Sequence, residues 1–226
     1  MDQETVQALF SAFIVVATML LVGFPVHEFM HAWTAMKLGD NTARWMGRVS
    51  LDPRVHLDQT GALVLGATAV FNALGGGLLF GWAKPTPVNP VNLRYGRRGH
   101  ALVAFAGPAS NLVTAALVAI VIRAVIWVDP DISPILELFW TALWLLLWLN
   151  IVLFIFNLIP IPPLDGWSVL KGLLPAPAAR RMTELEIQYA SVLPMVFFGF
   201  IIILFVGGGD ILLPIIDSIA RLLVGA

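Results

Sequence analysis

The sequence predicts an all-α polytopic membrane protein with about five to six transmembrane or membrane-embedded helices. Three observations carry this. Charge-free or nearly charge-free stretches follow one another along the 226 residues, at Ala8–Met36, Gly61–Ala83, Gly99–Ile122, Leu138–Leu164 and Ile187–Gly209. Several of them exceed the roughly 20 residues that a helix needs to cross a bilayer. Charged residues make up 12% of the chain, about half the share of an ordinary soluble domain, while 59% is hydrophobic and mean hydropathy is +0.88. A formal net charge of -1 gives no basis for a nucleic-acid partner. The absence of cysteine excludes disulfides and thiolate ligands, so any metal must be held by His, Asp or Glu.

Each element can be justified in order. The N-terminus, MDQETVQ, is acidic and lacks the basic region of a secretory signal, so the first apolar run is read as a retained helix. Gly39 is expected to stop that helix after Leu38. Lys37, Arg44, Arg48 and Arg54 follow it; Lys84, Arg94, Arg97 and Arg98 follow the second stretch; Lys171, Arg180 and Arg181 follow the fourth. Asp129, Asp131 and Glu137 lie between the third and fourth. The bias of basic residues toward the cytoplasm then puts the N-terminus outside, residues 40–60 and 165–186 inside, and 129–137 outside. Gly61–Ala83 conflicts with a simple crossing, because both flanks are basic and it contains Gly75-Gly76-Gly77. A segment that enters and returns on the cytoplasmic side is favoured, with a full span as the alternative. A weaker sixth stretch, Ile211–Ala226, is interrupted by Pro214, Asp217 and Arg221. Trp140, Trp144 and Trp148 share one helical face and read as packing or lipid contact.

The first helix carries the chemistry. His27-Glu28-Phe29-Met30-His31 places two imidazoles four residues apart on one helical face, where both can ligate one metal ion. Glu28 sits beside that ion as a carboxylate able to take a proton from water: this is the HExxH pattern of zinc hydrolases. Its setting sharpens the reading. Ala8–Val26 is nineteen residues without a charge. Placing a charged group in an apolar membrane helix costs roughly 2.5–3.5 kcal/mol on insertion scales, so such groups mark function more often than packing. At about 1.5 Å per residue, His31 and His27 lie roughly 9 and 15 Å from Lys37, below the cytoplasmic surface but short of the midplane.

Two histidines leave a catalytic zinc one protein ligand short. The strongest candidate is Asp165, in Asn157-Leu158-Ile159-Pro160-Ile161-Pro162-Pro163-Leu164-Asp165-Gly166. The prolines end the fourth helix and force irregular backbone, tolerable at membrane depth only beside protein or a water-filled cavity. The competing reading is that Asp165 caps a short helix over Trp167–Leu174. Position alone leaves the two even.

HEFMH in an apolar helix, Gly107-Pro108-Ala109-Ser110-Asn111 opening a later one, and NLIPIPPLDG in that order resemble the site-2 protease family of intramembrane zinc metalloproteases. The match covers roughly Gly23–Gly172 and is similar to the compact bacterial branch without PDZ or CBS domains. The resemblance implies one Zn2+ per chain held by His27, His31 and Asp165, with Glu28 as catalytic base. It further implies that Asn157 faces the site and steadies the substrate backbone or the oxyanion. The expected domain is single, 1–226, with a catalytic core about 8–172 and C-terminal helices about 187–226. The expected activity is hydrolysis of a peptide bond in or near a transmembrane segment of a protein substrate, in a bacterial plasma membrane with the site toward the cytoplasm.

Other polar residues carry weaker readings. His56 and Asp58 are read as organising the loop after the first helix, with a polar pair near the site as the alternative. His100 is expected to reach toward headgroups, and Asn72 and Asn111 to bond between helices. Pro85–Pro90 is either an extended edge able to pair with a substrate strand or a plain connection. A metal or ion transporter, or an inactive relative that binds membrane helices, would use the same ligands. Glu28 separates the transporter from a protease, because transit needs no general base, and the intact ligands together with Glu28 argue against an inactive relative.

Overall fold

The computed structural model describes residues 2–76, 79–128, 137–207 and 209–225. Asp129 and Asp131, on which the orientation argument draws, and Gly77 lie outside the described residues. Among the described residues every regular element is helical.

Helix α1 (Gln3–Thr18) runs through a π-helical turn, Met19–Gly23, into α2 (Phe24–Lys37). Residues Glu4–Lys37 thus form one apolar rod of 34 residues. Pro25 has no N–H to complete an α-helical bond to the preceding turn, and the wider turn falls where that bond is lost. The expected stop falls after Leu38; α2 ends one residue earlier, at Lys37, with Leu38 as its C-cap. Gly39 takes φ +108°, which lets the Gly39 and Asp40 N–H groups donate back to Met36 O and Ala35 O.

The loops beyond α2 are tied together by buried polar groups. Asp40 is fully buried and accepts from Thr42 N and Oγ1, Asn89 N and Asn92 Nδ2, joining the end of α2 to the proline-rich segment. Buried Arg48 donates to Val55 O and Lys84 O across the short turns α3 (Thr42–Trp45) and α4 (Pro53–His56). His56 Nε2 bonds Ser50 O at 2.7 Å, and Asp58 accepts from Gly61 N at 2.7 Å to cap α5. Both residues therefore organise the loop.

Helix α5 (Gln59–Phe71) and a π-helical turn, Asn72–Gly76, are followed by chain that runs back along α5. Thr68 Oγ1 donates to Phe80 O at 2.8 Å and accepts from Phe80 N at 3.0 Å. Gly61 and Gly81 make the return possible: a Cβ on Gly61 would lie 2.1 Å from Trp82 O, and one on Gly81 2.5 Å from Leu65 Cβ. Lys84 N–H then bonds His56 O at 2.8 Å, so the segment leaves where it entered. The segment is thus a hairpin whose two ends lie side by side.

Two long helices form the centre: α6 (Gly96–Val128) and α7 (Glu137–Asn157). Ala115, Ala119 and Ile122 of α6 pack against Leu147 and Ile151 of α7 and against Ile216 and Ala220 of α11 (Gly209–Val224). Lipid supplies little hydrophobic drive between helices, so close approach at small residues such as Ala115, Ala119 and Ala220 does the joining. Trp140, Trp144 and Trp148 pack on this cluster, which makes their stripe a packing feature. Helix α8 (Asp165–Leu173) lies on the start of α6, where a Cβ on Gly172 would meet Ala101 Cβ at 2.1 Å.

Among the described residues, three helical rods are long and apolar enough to cross a membrane: Glu4–Lys37, Gly96–Val128 and Glu137–Asn157. A fourth arises if α9 (Ala176–Gln188) and α10 (Leu193–Gly207), bent by 98°, count as one broken span. The expected five to six helices are reached by adding α5 and α11, of 13 and 16 residues. Phe13, Leu117 and Ile203 point outward, leaving the apolar surface that a bilayer would cover.

Candidate metal centre

α2 presents His27 and His31 on one face toward α6, both buried. The HEFMH helix can approach that closely because Gly107 of α6 has no side chain. A Cβ there would lie 2.4 Å from His31 Nε2 and 2.8 Å from His27 Cε1. The next residue, Pro108, cannot donate to the carbonyl four positions back, which loosens the hydrogen bonding of this turn. Val103 O, in the same turn, accepts from His31 Nδ1 at 2.8 Å. His27 Nδ1 bonds Asn111 Oδ1 at 2.7 Å. With both Nδ1 atoms so engaged, the Nε2 lone pairs of the two rings point at one spot.

Asp165 completes that spot from the far side of the fold. α7 ends at Asn157, and the turn Leu158–Leu164 closes over its end through Leu158 N–H to Ile155 O, Ile159 N–H to Phe156 O and Leu164 N–H to Ile161 O. Gly166 makes the closure possible, since a Cβ there would lie 2.2 Å from Leu158 O. The two readings of Asp165 now separate. Leu164 occupies the N-cap of α8, no side chain caps it, and Asp165 is the first helical residue. Its Oδ2 instead lies 3.2 Å from His27 Nε2 and 3.3 Å from His31 Nε2, and the two Nε2 atoms are 3.0 Å apart. The N-terminus of α8 also favours a carboxylate at that position.

This donor set fits zinc. Ligands about 2.0–2.1 Å from a tetrahedral zinc stand roughly 3.3 Å from one another, close to the separations found here. Two imidazoles and one carboxylate, with a position left open, make a ligand set suited to catalysis rather than to structure. Among the described residues, His27, His31 and Asp165 are the group of His and acidic side chains close enough to hold a metal ion.

The remaining expected residues fall around this centre. Glu28 is half-buried, its Oε2 accepting from Thr86 N at 2.8 Å while Thr86 Oγ1 donates to Glu28 O at 3.0 Å. The proline-rich segment thus runs beside Glu28. Asn157 lines the same cavity, but its Nδ2 donates to Leu153 O of its own helix at 2.9 Å. The cavity holds about 1330 Å³. One end carries His27, Glu28, His31 and Asp165, and apolar side chains of α1, α7, α10 and α11, such as Val15, Val152, Phe197 and Ile216, line the rest. His100 lines the same space with Ser168 and Glu186, so it faces the cavity instead of reaching toward headgroups. Glu186 in turn accepts from Lys171 Nζ at 2.6 Å and Trp167 Nε1 at 3.0 Å.

Sequence reasoning missed Thr86, Gly107 as the cradle of the histidine rings, and Asn150, whose Oδ1 accepts from Asn111 Nδ2 at 3.0 Å. The signal for Asn150 is present in the sequence: it is the one amide within the apolar run Ala142–Phe156.

Comparison with known proteins agrees with this arrangement. Residues 133–204 match the model of Peptidase family M50. "Putative zinc metalloprotease YwhC" of Bacillus subtilis is 36% identical over 183 residues, covering 79% of this chain and 77% of that protein. "Putative zinc metalloprotease Rip2" of Mycobacterium tuberculosis is 36% identical over 197 residues, 86% of this chain and 71% of the relative. The Rip2 of Mycolicibacterium smegmatis is 33% identical over 159 residues, 70% of this chain and 57% of the relative. No solved structure matches. With HEFMH, GPASN and NLIPIPPLDG brought to one buried point, and a relative matched over more than two thirds of both chains, the chain belongs to peptidase family M50, the site-2 protease family.

Proposed function

We propose that the protein is an intramembrane zinc metalloprotease that hydrolyses a peptide bond in or near a transmembrane segment of a protein substrate. The observation that carries this is the convergence of His27 Nε2, His31 Nε2 and Asp165 Oδ2, all within 3.3 Å of one another, beside a carboxylate that belongs to neither ring's hydrogen bonds. His27, His31 and Asp165 would hold the zinc, one per chain. Zinc, when bound, supplies Lewis acidity that polarises a carbonyl and makes water acidic enough to be deprotonated near neutral pH.

The chain's own residues do the rest. Glu28 takes the proton from the attacking water and returns it to the nitrogen of the leaving amine. The Thr86 N–H holds one oxygen of Glu28, leaving the other free to face the reacting water. The apolar part of the cavity receives the substrate segment and excludes bulk water from it. A helical substrate hides its carbonyls in its own hydrogen bonds, so it must unwind locally, and small or helix-breaking residues near the cut favour cleavage. Asn157, on the cavity wall, is placed to bond an unwound substrate backbone. Basic residues after α2 and around α8 and α9 support a site toward the cytoplasm, and the bacterial relatives support a bacterial plasma membrane as its setting.

The test is purified protein in detergent with bound zinc quantified, and cleavage of a single-span substrate by the wild type and by Glu28→Gln. Stoichiometric zinc in both, with cleavage by the wild type alone, is the expected result. Zinc bound without Glu28-dependent cleavage, or metal transport that survives Glu28→Gln, contradicts the proposal.

A further inference from the structure

The ligand His27 is held by a relay of side-chain amides that crosses three helices. His27 Nδ1 bonds Asn111 Oδ1 at 2.7 Å, Asn111 Nδ2 donates to Asn150 Oδ1 at 3.0 Å, and Asn150 Nδ2 donates to Leu146 O at 2.8 Å. Asn111 Nδ2 also donates to Gly23 O at 3.3 Å. Asn111 and Asn150 are buried to within 1% of complete exclusion from solvent. Two such amides among apolar helices are costly to leave unsatisfied, and as generic interhelical glue each contributes little.

The relay has a direction. Leu146 O is a backbone acceptor, so it requires the NH2 of Asn150 on its side and turns Asn150 Oδ1 toward Asn111. Asn150 Oδ1 and Gly23 O are both acceptors, so both require the NH2 of Asn111. Asn111 Oδ1 is thereby left facing His27, where it can only accept. His27 must then carry its proton on Nδ1, which leaves the Nε2 lone pair free. With the Asn111 amide turned over, an NH2 would face Nδ1, the proton would move to Nε2, and that nitrogen could no longer ligate.

We infer that Asn150 is a positioning residue for metal binding: through Asn111 it sets the tautomer in which His27 presents a free Nε2 to zinc. The role rests on the zinc site proposed above. It needs no contact between Asn150 and the metal, and it explains why a polar residue lies in the middle of an otherwise apolar helix.

The test is zinc affinity of the detergent-purified protein by chelator competition, together with the thermal midpoint of the zinc-free protein. Asn111→Leu is expected to weaken zinc binding about 10–100-fold, the range for loss of a group that orients a metal-ligating histidine. Asn111→Asp keeps an acceptor facing Nδ1 but turns its second oxygen toward Asn150 Oδ1 and Gly23 O, and is expected to lose less zinc affinity than Asn111→Leu. Asn150→Leu removes the lock but leaves Gly23 O, and weakens binding by roughly three- to tenfold. Asn150→Ala also removes the acceptor for Asn111 and is expected to show the same loss, which keeps the test open if the leucine variant does not fold; Asn150→Asp retains an acceptor for Asn111 and recovers part of that loss. A purely structural amide pair would behave differently: Asn150→Leu and Asn150→Ala would lower the zinc-free midpoint with unchanged zinc affinity, and that result overturns the inference. Failure of the wild type itself to bind zinc overturns the proposed function along with it.

Discussion

Gly107→Ala is the sharpest perturbation the structure offers, because it adds one methyl group at the point where α6 meets both histidine rings. The new Cβ would lie 2.4 Å from His31 Nε2 and 2.5 Å from His31 Cε1, about 1 Å inside ordinary van der Waals contact. The atoms it meets are rigid ring atoms fixed at their far side by Val103 O and Asn111 Oδ1. Relief therefore requires α2 and α6 to separate or the rings to turn, and either moves Nε2. Metal sites tolerate about ±0.2 Å in ligand distance, so a displacement approaching 1 Å is decisive. Overpacking of this kind costs about 1–3 kcal/mol, and carried by the metal-bound state it lowers zinc affinity roughly 5–150-fold. Gly66→Ala is the control, since a Cβ there meets nothing within 4 Å and the change is helix-favouring. Chelator competition on both variants reads the difference. Zinc affinity of Gly107→Ala within threefold of wild type would refute the claim that this glycine makes room for the ligands.

Further predictions follow from the same geometry. Asp165→Ala removes one of three ligands, so zinc should be lost on dialysis against a weak chelator while helicity by circular dichroism persists. Thr86→Pro removes the N–H that holds Glu28, and should lower the cleavage rate about tenfold or more with zinc content unchanged; Thr86→Ala keeps that N–H and should retain most activity. Asp40 is pulled two ways: burial raises its pKa, but bonds from Thr42, Asn89 and Asn92 outweigh it and hold the carboxyl below its usual value. A depressed folded-state pKa means that its contribution to stability is present above the unfolded value, about 3.9, and fades as pH falls through the lower folded value. Asp40→Ala should therefore lower the thermal midpoint at pH 7 and flatten its decline between about pH 5 and 2, whereas an unchanged acid profile would count against the role.

Much of the centre is legible in the sequence because its chemistry is local. His27, Glu28 and His31 lie within five residues on one helix, and helical geometry alone brings the two rings to one face. A doubled-back course for Gly61–Ala83 is suggested by its basic flanks, and the structure adds how the two arms meet: glycines at 61 and 81 let them touch. Asp165 is different. Its turn predicts irregular backbone, but whether the carboxylate caps α8 or faces the histidines depends on which residue starts the helix, and that is Leu164's φ and ψ to decide. Asn150 and Thr86 are less legible still, since each acts on the site from another helix or loop, and no periodicity fixes the rotation of α7 against α6. The bend between α9 and α10 is also hidden, because hydropathy measures the apolar content of Ile187–Gly209 and not the 98° turn at its start.

The central claim is that two rings from α2 and one carboxylate from α8 bind the same ion. X-ray absorption at the zinc edge on the purified protein, wild type and Asp165→Ala, tests it most directly. The account predicts one zinc per chain with two imidazole nitrogens at about 2.0–2.1 Å plus oxygen scatterers, and loss of tightly held zinc from the variant. Zinc retained in Asp165→Ala with an unaltered first coordination sphere would contradict it.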